Sequence, residues 1–72
     1  PARQDGMALC VRALIRARAF DDAVQRGQTF VDRTRSPGAE LLAAQASALF
    51  RVQRNAEAAR LYGQVTRLDP DS

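Results

Sequence analysis

The chain contains no histidine. That removes the side chain most often used as a general base near neutral pH, and the commonest metal ligand. Cys10 is the only cysteine, so no intramolecular disulfide can form and no CxxC pair can seat a zinc ion. A catalytic thiol needs an activating base. None stands near Cys10 in the sequence, and its neighbours at helical spacing are apolar. Lysine is also missing: all 11 basic residues are arginine. With the heavy use of alanine, this fits the codon bias of a GC-rich genome. Gly (4) and Pro (3) are too sparse for a disordered or collagen-like chain. There is no Gly-rich phosphate loop. No apolar run is long enough for a signal peptide or a membrane span. Asp21-Asp22 is a carboxylate pair, but capping of a helix explains it more simply than acid–base chemistry. Together these absences argue against an enzyme, a bound cofactor or a metal centre.

What is present favours helix. Ala, Leu, Arg, Gln and Glu are all good helix formers, and strand-type alternation is sustained nowhere. The 72 residues allow one small domain. A chain of this size buries only about 60% of its unfolded surface, so it is marginal alone. It opens Pro1-Ala2-Arg3 without Met and reads as a piece of a longer protein. Its compartment is open: cytoplasm and periplasm are both compatible with a lone cysteine.

Four helical stretches can be marked. The first runs from about Gly6 to Ala17, with an apolar stripe of Met7, Val11, Leu14 and Ile15. Cys10 flanks that stripe, and Arg12 and Arg16 share the opposite side. The second begins after Phe20, with Asp21 as N-cap and Asp22 favouring the positive end of the helix dipole. Its stripe is Ala23, Val24, Gly27, Phe30 and Val31. Gly27 weakens a helix interior by up to ~1 kcal/mol relative to Ala, which marks a close approach by another helix. The second helix fades near Arg33 to Arg35. Ser36 and Pro37 suit the N-cap and first position of a third helix, which runs to about Val52. Its stripe is Leu42, Ala46, Leu49 and Phe50. Asn55 then caps a fourth helix carrying Ala58, Leu61, Tyr62, Val65 and Leu68, and Pro70 stops it.

The second half follows a 34-residue pattern. A bulky residue, a large–small pair and an apolar residue fall on Leu42, Gln45, Ala46 and Leu49. Ala58, Tyr62 and the closing Leu68-Asp69-Pro70 follow. This segment resembles a tetratricopeptide repeat, in which two helices cross at small residues, here Ala46 and Ala58. Gln45 departs from the usual Leu, and Asn55 stands where an aromatic often precedes the second helix. The first half matches less fully, through Met7, Cys10, Val11, Leu14, Ala23 and Gly27. There Arg35 replaces the expected Pro, and Pro37 follows two residues later. Ala23 and Ala58 lie 35 residues apart, one more than the period, which implies an inter-repeat turn one residue longer than usual. Another helical-hairpin array or a four-helix bundle is the alternative.

The resemblance implies an all-α fold of antiparallel helix–turn–helix repeats, stacked as a short right-handed α-solenoid of four helices. Residues 1–3 would be an N-terminal extension, 4–37 the first hairpin and 38–72 the second. A repeat cannot bury its apolar faces alone, and about three are usually needed. Without the extra solvating helix that commonly ends such arrays, Leu61, Val65 or Leu68 should be partly exposed. The expectation is that the fragment self-associates into a homo-oligomer, or that its parent continues on at least one side.

In this family the first helices line a concave groove. The resemblance places Leu9, Arg12, Arg16, Ser47, Phe50 and Arg51 there, with Ala44 adding apolar surface nearby. Three guanidiniums in one groove can clamp carboxylates through bidentate hydrogen bonds. The implied function is a protein–protein interaction module, a scaffold segment of a bacterial assembly, secretion or export protein. It would bind an acidic peptide or helix of a protein partner. A solvated arginine face is the plainer reading of the same residues. The Lys/Asn/Arg clamp of family members that bind chaperone C-termini is not supported, since Ala8, Arg12 and Ala44 stand at those positions. The alternative function is a structural spacer that self-associates through its stacking faces. Nucleic-acid binding is disfavoured by eight acidic residues, a lone Tyr62 and the lack of a dense basic run.

Overall fold

Strong helix propensity and short connections dominate the outcome. The computed structural model describes residues 2–69. They form helices α1 (Ala2–Arg16), α2 (Phe20–Arg33), α3 (Ala39–Arg51) and α4 (Asn55–Leu68), with no strand among the described residues. Pro70, the expected helix stop, lies outside the described residues, as do Pro1 and Ser72. Helix α1 starts four residues before the expected Gly6. Ala, Arg and Gln there favour helix, and a glycine within reach of such neighbours is tolerated.

Both hairpins turn through the same backbone device. Helix α1 ends with Arg18 in the left-handed region at φ 62°, and α3 ends with Gln53 at φ 65°. The Arg18 N–H donates to the Ile15 carbonyl at 3.0 Å and the Ala19 N–H to that of Leu14 at 2.9 Å. In the second hairpin Gln53 donates to Phe50 at 3.0 Å and Arg54 to Leu49 at 2.9 Å. This paired bonding is the Schellman ending, which satisfies carbonyls orphaned at a helix terminus. The next residues, Ala19 (φ −87°, ψ 65°) and Arg54 (φ −89°, ψ 65°), then serve as N-caps. Each corresponding pair, from Leu14 and Leu49 to Ala23 and Ala58, is 35 positions apart, so the two hairpin turns share one geometry.

That device corrects the expected caps. The residue that completes the Schellman ending is also the cap of the following helix, so Asp21 and Asn55 fall inside the first turn. No side chain caps α2, α3 or α4 by a hydrogen bond. Asp21 and Asp22 act through charge at the helix N-terminus instead. Gly38, rather than Ser36, precedes the first residue of α3. Non-glycine residues in the left-handed region carry about 1–2 kcal/mol of strain, partly offset by glycine's greater unfolded freedom. Arg18→Gly and Gln53→Gly are therefore each expected to stabilise by about 0.5–1 kcal/mol, raising Tm by roughly 2–8 °C. Thermal melts read by circular dichroism check this, and unchanged or lower Tm values would speak against these turns.

Helix α3 is the centre of the molecule. It packs on α1, α2 and α4, whereas α4 packs on α3 alone. Leu41, Leu42, Ala44, Gln45, Ala46, Ala48 and Leu49 of α3 are all buried. The stripe expected on α3 is thus corrected: Leu41 is fully buried, while Phe50 is 60% exposed. A helix covered by three neighbours needs a wide apolar arc, and Leu41 lies in the part that a two-helix pattern leaves out. On α2 the expected stripe appears as buried Ala23, Val24 and Gly27 with half-buried Phe30 and Val31.

Gly27 does mark a close approach. A Cβ there would sit on Oε1 of Gln45, 2.8 Å from its Cδ and 3.3 Å from Cγ2 of Val11. The Gln45 side chain crosses this contact and donates from Nε2 to the Val24 carbonyl at 3.1 Å. Its Oε1 is buried without a partner. The small residues Val11, Ala23, Ala46 and Ala58 are each at most 2% exposed. They occupy matching places in the two hairpins and let the helices come together.

Candidate functional site

Helices α1 and α3 lie side by side and show solvent the same three positions. From α1 come Arg12, Ile15 and Arg16, and from α3 come Ser47, Phe50 and Arg51. Each set follows the i, i+3, i+4 spacing that puts side chains on one face of a helix, and the sets are 35 residues apart. Tyr62 of α4 closes one end. Together they enclose an open groove of about 390 Å³.

The groove is lined by apolar and cationic side chains. Ile15, Phe50 and Tyr62 supply its apolar surface. Arg12 Nη2 lies 3.2 Å from Glu40 Oε2, with their side chains 49% and 71% exposed. A pair so open to water is worth about 0–1 kcal/mol, so an incoming carboxylate can displace Glu40 at small cost. The Arg51 guanidinium lies 6.0 Å from the ring centroid of Phe20, at the outer limit for a cation–π contact. That contact leaves its N–H groups available. Arg16 is exposed and has no ion pair among the described residues. Ser47 Oγ and Tyr62 OH are 3.2 Å apart, and each hydroxyl keeps further hydrogen-bonding capacity.

Five of the six residues expected in the groove, Arg12, Arg16, Ser47, Phe50 and Arg51, are brought together there. Leu9 is not: it is 66% exposed and does not line the groove. Its counterpart Ala44 is fully buried against the first hairpin and adds no surface. Ile15 and Tyr62 are additions. Ile15 reads as core because it borders the apolar stripe. Tyr62 reaches the groove only because α4 lies against α3. Of the residues expected on the stacking face, Leu61 packs against the core and Val65 is half-buried. Leu68 is 57% exposed.

A second depression, about 510 Å³, lies beside α2 and mixes Asp22 with Arg26 and Arg33. Its charges are of both signs and come chiefly from one helix, so it offers no comparable focus. Among the described residues no cluster of three His, Cys, Asp or Glu side chains could hold a metal ion, and no helix is long and apolar enough to cross a membrane. Searches against protein-family models, curated proteins and solved structures give no match to this chain.

Proposed function

We propose that this chain is a protein-interaction module of tetratricopeptide type. Its two hairpins would be successive units of a right-handed helical array, and the groove over α1 and α3 would receive an acidic segment of a protein partner. One observation carries this reading: equivalent positions of both hairpins, 35 residues apart, meet in one groove with three guanidiniums beside apolar side chains. The identical hairpin turns and the buried small residues at matching places support the repeat assignment.

The chemistry of the groove defines the ligand. Carboxylates suit the arginines, since a guanidinium offers paired donors in a fixed fork. Apolar side chains between the carboxylates suit Ile15, Phe50 and Tyr62. A segment alternating acidic and apolar residues satisfies both. The test uses two labelled peptides of equal length, one alternating Glu with Leu and one with Gln in place of Glu. Fluorescence anisotropy should show binding of the acidic peptide, weakened by salt. Arg12→Ala and Arg51→Ala should each weaken it about fivefold, the equivalent of about 1 kcal/mol for an exposed charge-assisted contact. Equal binding of both peptides, or unchanged affinity in both variants, would overturn the proposal.

A further inference from the structure

The repeat geometry assigns a second interaction surface, which shares Tyr62 with the groove. Helix α3 docks on the first hairpin through Leu41, Ala44, Gln45 and Ala48, all fully buried. The equivalent positions of α1, 35 residues earlier, are Gly6, Leu9, Cys10 and Ala13. Three of these are exposed and Cys10 is half-buried, and the space around Gly6 is open. The first hairpin receives α3 in part through Val24 and Gly27, both buried. Their equivalents on α4 are Ala59 and Tyr62, both exposed. One internal junction is made, and its two complementary halves are each repeated, uncovered, at opposite ends of the molecule.

We propose that these two ends bind each other, so that α1 of a second copy of this chain docks on the α3–α4 hairpin as α3 docks on α1–α2. The occupant is set by continuity with the interface already formed, and by size. Inside the molecule the long side chain Gln45 lies over Gly27, which has none. Between copies the short side chain Cys10 would lie over the large Tyr62. Likewise Ala44 and Val24, buried in one apolar cluster, correspond to Leu9 and Ala59. In the Gln45–Gly27 contact a large residue faces one with no side chain. Cys10 against Tyr62 keeps a large residue facing a smaller one with the bulk on the other side, which is the condition for close packing. The contact joins different surfaces of the two copies, so it is heterologous and does not close on itself as a two-fold dimer does. It covers Tyr62 at one end of the groove but leaves Arg12, Arg16 and Arg51 open, and each added copy extends the groove.

The test blocks one end at a time. Ala13→Glu lies on the α1 end and Ala59→Glu on the α4 end. Both sites are exposed, and Glu is a good helix former, so each variant should keep the helical content of the parent. Sedimentation of the parent chain should show mass rising with concentration without stopping at a dimer. Each variant alone should associate about a hundredfold or more weakly, because a carboxylate must enter a packed junction. Mixing the two should restore a one-to-one dimer and nothing larger, since one free end of each kind remains. Leu9→Glu and Thr66→Glu, also at exposed positions, repeat the experiment should either first variant lose helix. A parent chain that stays monomeric up to millimolar concentration would overturn the proposal. So would a parent dimer that does not grow, or a mixture no larger than its components. Peptide binding in the groove is read separately, so either proposal can fail alone.

Discussion

Leu41→Ala should remove a large share of the chain's stability, about 2–5 kcal/mol. Leu41 is one of the largest fully buried side chains, and it sits on the helix that packs against all the others. Truncating a buried leucine costs about 2–5 kcal/mol, because apolar contact is lost and the cavity closes only in part. A chain of 72 residues has roughly 4–11 kcal/mol of stability in total, and no disulfide restricts its unfolded state. Leu9→Ala is the matched control. Leu9 is 66% exposed, and an exposed truncation changes stability by about 0.5 kcal/mol or less. Urea denaturation followed by helical signal compares the two. Equal midpoints would show that α3 is not the centre of the core.

Gly27→Ala should destabilise the protein, and the same substitution should cost much less once Gln45 is Ala. Alanine is the better helix former by up to ~1 kcal/mol, so propensity alone favours the change. Against it, the new Cβ would fall on the Gln45 amide. Gln45 is fully buried, so its side chain has no water to turn into. Displacing it breaks the bond to the Val24 carbonyl and adds overpacking strain of about 1–3 kcal/mol. The strain outweighs the propensity gain in the parent. In the Gln45→Ala background the main obstacle is gone, and only Val11 Cγ2, 3.3 Å from the new Cβ, must still give way slightly. A double-mutant cycle measured by urea denaturation isolates this coupling. An equal effect in both backgrounds would contradict the packing described here.

Much of this architecture was legible because it depends on local pattern. The α2 stripe follows helical spacing, and Gly27 within it has few uses other than a close approach. The 35-residue separation of Ala23 and Ala58 pointed to a longer turn between the hairpins, whereas the matching geometry of the two hairpin turns was not read from it. Features that depend on neighbouring elements were not legible. Asp21 and Asn55 are strong cap formers by type, yet the Schellman endings of α1 and α3 place the caps on Ala19 and Arg54. Leu41 is buried because α3 has three neighbours, which no periodicity on α3 alone reveals. In the groove, Arg16 and Arg51 were placed by the resemblance. Tyr62 was not, because its place there requires α4 to pack across α3 and bring its hydroxyl to Ser47.

The proposed binding surface rests on the arrangement of the groove, as against a solvated arginine face. Charges scattered for solubility need no apolar neighbours and no correspondence between the two hairpins. Here Arg16 and Arg51 occupy equivalent positions, with Ile15 and Phe50 equivalent beside them. Such an arrangement presents one chemical pattern twice along a groove, which suits a segment that itself alternates.

The most direct test is a residue-by-residue titration of the isotopically labelled chain with the alternating Glu–Leu peptide, followed by nuclear magnetic resonance. The account predicts that resonances of Arg12, Ile15, Arg16, Ser47, Phe50, Arg51 and Tyr62 shift together. The Gln–Leu peptide should move them little at the same concentration. Shifts centred on α2 around Asp22, Arg26 and Arg33, or equal responses to the two peptides, would contradict the assignment of the groove.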